Sequence, residues 1–421
     1  MRAVVGRDLN TLGLSSAHRR HRPDYILLIL MLMLLGIGVI VVYAISPALA
    51  AEGTTSASYF VTHQILAIIL GLVAFVIIDR VPIEYWQKLT KPLLILSGFA
   101  TLLALVMPVN TQYPAHRWIR IGTFSFQSVE LLKFALIIWL AGFLAKRIQN
   151  GTVTDLKMTL KPLGIALVII GVIVGYIQSD LGSVGVIIAI MGSMIFVAGM
   201  PIKKLMIGGA IIAVCVVLLI SVFPYRRDRL LAYLHPASNC ASASNNGYQE
   251  CQALIAVGSG GMIGLGLGRS VQAYGYLPEA DNDSIFAIYA EKFGFIGDVI
   301  LISIFAVLFY RLKSIIERAP DDFSRLYTVA ILAWLAAQTI INIGAMIGLL
   351  PLKGITLPLI SYGGTSVVFI MAALGVVFRI SRYTSYVLPE TTSVNGGGIY
   401  EDSRNRRRFR GAHNPSSSSR S

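Results

Sequence analysis

The stretch YILLILMLMLLGIGVIVVYAIS, residues 25–46, runs for more than twenty positions without a charged side chain. A helix of about 20 apolar residues is long enough to cross the ~30 Å hydrocarbon core of a bilayer. No small-residue cleavage site with suitable flanks follows it, so we predict a retained membrane helix rather than a signal peptide. The class of the whole chain then depends on how often such a stretch recurs.

The composition points to an integral membrane protein. Of the 421 residues, 55% are hydrophobic and 13% are charged, and the mean hydropathy is +0.72, whereas soluble domains carry roughly 25% charged residues. We identify ten apolar runs, at residues 25–46, 60–79, 92–108, 128–145, 162–178, 183–200, 204–223, 284–310, 326–349 and 365–387. The predicted fold is an all-α bundle of ten transmembrane helices with no separate soluble domain.

The distribution of Lys and Arg predicts the orientation of this bundle. The short loops that carry several of these residues are 80–91, 146–161, 203–204 and 311–325. The loops 47–59 and 178–182 contain none. Both termini are therefore predicted to be cytoplasmic. The segments that then lie outside are 109–127, 350–364 and the long connection 224–283 between the seventh and eighth helices.

The two ends of the chain differ from the membrane domain, which we assign to residues 24–387. Residues 1–23 and 388–421 are polar and rich in Ser, Gly and Arg, so we expect disordered cytoplasmic tails. The C-terminal tail contains RNRRRFRG, residues 404–411. We interpret this basic run as a segment attracted to the membrane surface and predict no nucleic-acid binding.

Ionisable residues near the outer ends of the predicted spans are functional candidates, because charge in a membrane helix is costly. Glu130 and Lys133 are three residues apart, so they lie on one helix face and either pair with each other or contact a polar substrate. Asp180, in the short outer turn QSDLGS, either caps the next helix or faces the outer cavity as an unpaired acid.

Several arginines on the predicted outer side are exceptions to the excess of Lys and Arg in the cytoplasmic loops. Arg117 lies in the first outer segment, and Arg226, Arg227 and Arg229 cluster in YRRDR, residues 225–229. Guanidinium groups bind phosphate oxygens two at a time, so these residues predict an anionic ligand. The alternative is a lipid headgroup bound without any chemistry.

Four acids lie in YLPEADNDSIFAIYAEKFGFIG, residues 276–297. Asp283 lies at the start of the eighth span. It either caps the helix or acts as a general base, in which case burial would raise its pKa. Glu291 lies about 12 Å deeper by helical rise and is predicted to be a structural or coupling group. Glu279 follows a proline in the loop, and Asp281 is expected to be solvated.

The long outer loop also contains two of the three cysteines, Cys240 and Cys251. The oxidising conditions outside the membrane permit a disulfide bond between them. Two free thiols are the alternative, and the sequence leaves both open.

Taken in order, these motifs resemble the SEDS family (shape, elongation, division and sporulation) over about residues 25–385. RWI with QSVELLK, QSDLGS, the large outer loop and LPLISYGGTS all resemble its characteristic segments. PLKGITLP, residues 351–358, is more similar to the division-type members than to the elongation-type members. Departures include Asp281 where the family has His and Ala273 where it has Lys.

The resemblance implies a peptidoglycan glycosyltransferase that polymerises lipid II at the outer face of the membrane with inversion. Asp283 would be the catalytic base. The residues that it implies as substrate-binding are Arg117, Glu130, Lys133, Asp180, Arg226, Arg229, Gln249, Gln252, Ser270, Gln272, Glu279, Lys353, Ser361 and Tyr362. Glu291 and Asn342 would be structural or coupling residues.

The resemblance also implies cofactors, partners and a location. We expect a divalent cation, Mg or Mn, held partly by the substrate pyrophosphate. The expected partners are lipid II, the growing glycan strand, a class B penicillin-binding protein and other division proteins. The protein would lie in the bacterial cytoplasmic membrane at the division septum. A lipid II flippase, an elongation-type polymerase and a scaffold for division proteins are the competing functions.

Overall fold

The structure is a computed structural model, and it describes residues 18–20, 22–52, 56–107, 117–121, 124–222, 227, 231, 233–234, 240 and 247–385. The helices are α1 (Tyr25–Glu52), α2 (Ala57–Arg80), α3 (Ile83–Val106), α4 (Ser128–Gln149), α5 (Leu156–Ile177), α6 (Leu181–Val197), α7 (Ile202–Val222), α8 (Tyr248–Gly260), α9 (Ile285–Arg318), α10 (Asp322–Met346) and α11 (Gly364–Ile380). The strands are β1 (His18–Arg20), β2 (Trp118–Ile121), β3 (Phe124–Gln127) and β4 (Tyr383–Ser385).

The predicted helical class is confirmed, and each predicted apolar run falls on a helix. Among the described residues, seven helices are long and apolar enough to cross a membrane. Two further apolar helices, α6 and α11, are shorter than a full span. The number of ten spans and the orientation of the bundle therefore stay predictions.

Short strands are the departure from the all-α prediction. β2 and β3 form an antiparallel hairpin that leads directly into α4, with Ile119 opposite Phe126. β1 pairs with β4, so residues 18–20 have regular structure inside the tail that we expected to be disordered. Runs of three or four residues carry too little periodicity to be recognised as strands in the sequence.

Helices α4 and α10 form the centre of the bundle. In their most apolar stretches 78% and 61% of the residues are buried, against 22% in α2, α3 and α5. α10 packs against α4, α6 and α9, and α2 packs along α11. A helix that is apolar all round but buried on one side only presents its other side to lipid. The outer helices therefore enclose a core around α4 and α10.

Helix α9 is broken at Gly294, whose φ of 65° and ψ of −171° are not helical. The carbonyl groups of Glu291 and Lys292 lose their helical partners and accept hydrogen bonds from the backbone N–H groups of residues 265 and 266, at 2.9 and 3.0 Å. The N–H groups of residues 295 and 296 donate to the carbonyl oxygens of residues 261 and 262, at 2.9 and 3.1 Å. Backbone hydrogen bonds thus connect the segment that follows α8 to the broken part of α9.

The close approach at the break requires glycine. A Cβ atom at Gly294 would lie 2.3 Å from the backbone nitrogen of Gly264, which cannot move as a side chain could. Gly264 is equally tight, because its Cβ would lie 2.2 Å from the carbonyl oxygen of Lys292. The outer loop is therefore held to α9 by backbone contacts and not by side chains alone.

We expect Gly294→Ala to lower the free energy of unfolding by at least about 2 kcal/mol, from strain at a positive φ and from overlap with the neighbouring backbone. Thermal unfolding of the purified protein in detergent measures the change. Gly36→Ala in α1 is the matched control, since a Cβ there would have no atom within 4 Å. Equal stability of the two variants would contradict the backbone junction at Gly294.

Candidate active site

Asp283 lies in the turn that precedes α9 and is 6% exposed. The first helical residue is Ile285, and Ser284 occupies the N-cap position. The interpretation of Asp283 as the helix cap is therefore wrong, and its carboxyl group remains for another role. The turn continues back to Glu279, whose φ is 51°, and the carbonyl oxygen of Glu279 accepts from the N–H of Ser284 at 3.1 Å.

Side chains from two other helices hold this turn. From α8, Gln249 Nε2 donates to Asp283 Oδ1 at 3.1 Å and to Ser284 Oγ at 2.9 Å. From α10, Asn342 Nδ2 donates to the carbonyl oxygens of Asp283 and Ile355, both at 2.7 Å. Gln249 was predicted as a substrate contact, and the structure shows it as a partner of the candidate base. Asn342 has the structural role predicted for it.

The surroundings of Asp283 raise the pKa of its carboxyl group to about 8. Burial is the main cause, because removal from water disfavours the charged form. The neighbouring Glu279 carboxylate adds to the increase, whereas the hydrogen bond from Gln249 lowers the pKa. A carboxyl group with a pKa near neutrality can accept and release a proton at physiological pH.

Arg117 and Asp283 both approach Gly354. A Cβ atom at Gly354 would lie 3.7 Å from Asp283 Oδ2 and 4.0 Å from Arg117 Nη1. Arg117 is oriented by its other nitrogen atoms, because Nε donates to the carbonyl oxygen of Gln178 at 3.1 Å and Nη2 to that of Ser179 at 2.7 Å. The acid and the guanidinium thus lie near the same glycine, and contact of Arg117 with a substrate stays a prediction.

Gly354 is the residue that the sequence analysis did not assign. Its φ is 67°, in the region that favours glycine. It belongs to the PLKGITLP motif, which served only to distinguish subgroups of the family. Its neighbourhood to Asp283 depends on a contact between segments 71 residues apart in the chain, so no local pattern identifies it.

Asp180 caps α6, as the first of its two interpretations predicted. Its Oδ1 accepts from the N–H of Ser183 at 3.0 Å, and its Oδ2 accepts from Ser183 Oγ at 2.9 Å. Both oxygen atoms are thus bound within the chain. The interpretation of an unpaired acid is wrong, and contact with a substrate stays a prediction.

Glu130 and Lys133 form a buried ion pair in α4, with Lys133 Nζ 2.7 Å from Glu130 Oε1. Lys133 Nζ also lies 4.8 Å from the centre of the Trp334 ring, where a cation is attracted to the π face. Within the described part of the chain, Glu130 Oε2 has no hydrogen-bond partner. The pairing alternative is confirmed, and a substrate role for this pair stays a prediction.

Glu291 is fully buried and binds the loop at residues 270–272. Its Oε1 accepts from the backbone N–H groups of Val271 and Gln272, at 2.8 and 3.2 Å, and its Oε2 accepts from Ser270 Oγ. Glu291 thus connects α9 to this loop, and its structural or coupling role stays a prediction. Ser270 and Gln272 were predicted as substrate contacts, and the structure shows that this segment holds the loop on α9.

The segment between α10 and α11 is fastened to the turn of Asp283. Ser361 Oγ donates to the carbonyl oxygen of Asn282 at 2.7 Å and accepts from the N–H of Leu357 at 2.7 Å. The N–H of Tyr362 donates to the carbonyl oxygen of Asp281 at 2.8 Å. Ser361 and Tyr362 therefore position the site, whatever else they contact.

The remaining predicted residues divide into three groups. Gln252 is buried in α8, Lys353 precedes Gly354, and Glu279 Oε2 accepts from Asn282 Nδ2 at 3.1 Å. Cys240 and Cys251 are joined by a disulfide bond, which confirms that alternative. Arg226 and Arg229 lie outside the described residues.

No metal centre built by the chain itself is found among the residues described, since no three His, Cys, Asp or Glu side chains come together as ligands. The acids of the turn, Glu279 and Asp283, do not form such a group. Within the described part of the chain, protein side chains alone therefore do not complete a set of three such ligands for a divalent cation. The predicted cation would depend on oxygen atoms that a substrate supplies.

Residues 25–386 match the family model described as "Cell cycle protein", which comprises FtsW, RodA and SpoVE. The chain belongs to the FtsW/RodA/SpoVE family. This membership and the apolar helices make it a multi-pass membrane protein. The resemblance to SEDS proteins is thereby confirmed over nearly the whole membrane portion.

Two curated relatives cover most of this family member. The probable peptidoglycan glycosyltransferase FtsW of Saccharophagus degradans is 37% identical over 367 residues, which are 86% of this chain and 92% of the relative. Stage V sporulation protein E of Bacillus subtilis is 37% identical over 87% of this chain and 99% of its own. Both alignments therefore cover most of the membrane domain.

Solved structures agree with the fold. A chain from a structure titled "Structural coordination of polymerization and crosslinking by a peptidoglycan synthase complex" matches with a TM-score of 0.70 and 26% identity, over 86% of this chain and 98% of its own. The rod shape determining protein RodA of Thermus thermophilus matches with a TM-score of 0.61 and 24% identity, over 86% and 97% of the two chains. The latter is similar in fold.

We expect Asn342→Leu to lower the free energy of unfolding by about 2 kcal/mol, because it leaves two buried carbonyl groups without a donor. Gln338→Leu, one helical turn earlier, is the control. Gln338 is also buried, but within the described chain its Oε1 has no hydrogen-bond partner. Thermal unfolding compares the two, and a loss no greater for Asn342→Leu would refute its bridging role.

Proposed function

We propose that this family member is a peptidoglycan glycosyltransferase that polymerises lipid II into glycan strands at the outer face of the cytoplasmic membrane. The observation that carries the proposal is that the buried Asp283 carboxyl group and the Arg117 guanidinium both lie close to Gly354, within about 4 Å of where its Cβ atom would be. Two relatives named for this activity or for sporulation support it.

The reaction joins two sugar chains. Asp283 accepts the proton of the 4-hydroxyl group at the end of the acceptor, whose oxygen forms a bond to the anomeric carbon of the donor. The bond from that carbon to the donor pyrophosphate breaks on the opposite side, and configuration is inverted. The leaving group departs as undecaprenyl pyrophosphate and keeps the bonding electrons. No step requires a nucleophile from the protein.

The developing negative charge on the leaving pyrophosphate needs a positive partner that is already oriented. Arg117 meets this need, because the carbonyl oxygens of Gln178 and Ser179 bind two of its nitrogen atoms and fix the third beside Gly354. Arg226 and Arg229 are proposed to assist. A divalent cation bound together with the substrate pyrophosphate would supply further positive charge.

The biological setting belongs to the same proposal. Relatives named FtsW and the PLKGITLP motif favour a division-type role at the septum, with an elongation-type role as the alternative. The solved complex for polymerization and crosslinking supports a class B penicillin-binding protein as partner. Lipid II, the growing glycan strand and other division proteins complete the proposed partners.

We expect Asp283→Asn to reduce lipid II polymerisation at least about 100-fold, because the amide cannot accept the proton. Purified protein is assayed with and without its cognate transpeptidase, and the products are separated by gel electrophoresis. Asp281→Asn is the control, since it makes the same change from acid to amide in the same turn. Polymerisation by Asp283→Asn equal to that of the control would exclude Asp283 as the base and favour a flippase or scaffold.

The raised pKa of Asp283 predicts how polymerisation depends on pH. Only the deprotonated carboxylate accepts the proton, so the rate should increase as the pH rises through about 8. Glu279→Gln removes a neighbouring negative charge, lowers the pKa of Asp283 and should shift this increase to lower pH. Gln249→Leu removes the hydrogen bond to Oδ1, raises that pKa and should shift it to higher pH.

Rates of the wild type and both variants across the pH range test this prediction. The two shifts have opposite signs, which a general loss of structure would not produce. Identical profiles for all three proteins would mean that a group other than Asp283 controls the rate.

A further inference from the structure

The disulfide bond between Cys240 and Cys251 ends in the helix that carries the hydrogen-bond donor to Asp283. Cys251 is buried in the first turn of α8. Gln249, which binds Asp283 Oδ1, is two residues earlier in the same turn. The bond therefore closes a ring of chain, residues 240–251, and Gln249 lies inside this ring.

The first turn of α8 has few restraints of its own. Gly247 is the N-cap residue, and its φ of 102° lies in the left-handed region. Because glycine has no side chain, it gives no hydrogen bond to the N–H groups that open the helix, which Ser, Thr, Asp or Asn would supply. Residues 248–250 are half-buried, and full burial begins at Cys251. Helix ends of this kind open locally at low cost in free energy.

Gln249 contacts the turn of Asp283 through a single amide nitrogen. Its Nε2 donates to Asp283 Oδ1 at 3.1 Å, to Ser284 Oγ at 2.9 Å and to the carbonyl oxygen of Pro278 at 3.4 Å. Hydrogen bonds weaken steeply when distance and angle depart from these values. Fraying of the first turn of α8 would move the backbone of Gln249 and separate it from the carboxyl group.

A closed ring restricts the frayed turn more than the helical turn. When the first turn of α8 frays, residues 248–250 gain backbone freedom, and this gain in entropy drives the fraying. The disulfide bond fixes both ends of residues 240–251, so it reduces the number of conformations open to the frayed chain. The helical turn is thereby favoured, although its N-cap residue has no side chain.

We propose that the Cys240–Cys251 disulfide bond positions Gln249 on the carboxyl group of Asp283 and so supports the polymerisation reaction. The two cysteines act through Gln249 and not on the reacting atoms. The inference rests on the proposed function, because it takes Asp283 as the base. The long connection that contains both cysteines is predicted to lie outside the membrane, where oxidising conditions preserve such a bond.

Loss of the hydrogen bond from Gln249 would change the ionisation of Asp283. Burial and the negative charge of Glu279 raise the pKa of the Asp283 carboxyl group, whereas the Gln249 amide lowers it. Without that amide the pKa rises further, and a higher pH is needed to form the carboxylate. Other charged side chains on the segments that meet here, which loss of the disulfide leaves in the chain, are Asp281 in the turn, Glu250 in α8, Arg117, and Lys353 beside Gly354.

Rates of lipid II polymerisation by the full-length protein across the pH range test this inference. We expect Cys240→Ser to shift the increase in rate to higher pH by at least about 0.5, which lowers the rate roughly threefold below the pKa of Asp283. Gln249→Leu should shift it in the same direction. The combined variant Gln249→Leu/Cys240→Ser should show no further shift, because both changes remove the same interaction.

Cys215→Ser is the matched control, because Cys215 is an exposed free thiol in α7. Its pH profile should equal that of the wild type. A wild-type profile for Cys240→Ser beside a shifted profile for Gln249→Leu would overturn the inference. A further shift in the combined variant would also overturn it, since the disulfide would then act by another route. Wild-type protein reduced by a phosphine to two thiols gives the same comparison if Cys240→Ser does not fold.

Hydrogen exchange measures the first turn of α8 independently of activity. The N–H of Cys251 donates to the carbonyl oxygen of Gly247 at 3.0 Å, and residues 252–254 continue the helical pattern. We expect the amides of residues 251–254 to exchange several-fold faster in Cys240→Ser, and in the reduced wild type, than in Cys215→Ser. Equal exchange in all these proteins would overturn the inference. Faster exchange beside unchanged pH profiles, Gln249→Leu included, would support the hold on the turn and contradict Asp283 as the base.

Discussion

A bilayer interior offers no hydrogen-bonding partner to a broken helix, so the break in α9 must be satisfied within the chain. The segment that follows α8 supplies both the donors and the acceptors at Gly294. Glu291, one turn earlier, binds the backbone of residues 271 and 272. These contacts fix both ends of the loop that contains Asp283, because the loop leaves the break at residue 266 and returns to α9 at Ile285.

The contacts that hold this loop also keep Asp283 buried. A carboxyl group that is 6% exposed is costly to ionise, and the cost appears as a pKa raised to about 8. The hydrogen bond from Gln249 opposes this increase and keeps the charged form within reach at physiological pH. Asn342 binds the backbone of the turn rather than its carboxyl group, so position and protonation are controlled by different side chains.

Arginine has different partners at the two ends of the bundle. At the end that contains Asp283, Arg117 donates to two backbone carbonyl groups. At the other end, Arg311 pairs with Asp24 and Arg382 with Asp79, so those charges offset each other. Among the described residues, Arg117 forms no ion pair, whereas Arg311 and Arg382 connect helix ends through their acids.

The sequence by itself determined the membrane class and the positions of the long apolar helices, because transfer of a segment into hydrocarbon depends on its own composition. It did not predict α8, which lies in the long connection. The resemblance of a short motif to the family also singled out Asp283 as the candidate base. Only the tertiary structure decided which alternative holds at Asp180, Glu130 and Lys133, that Gln249 binds the candidate base, and that Asp283 and Arg117 both lie near Gly354. These facts are distances between side chains on different segments, and burial and hydrogen bonding at such positions arise only when the helices pack.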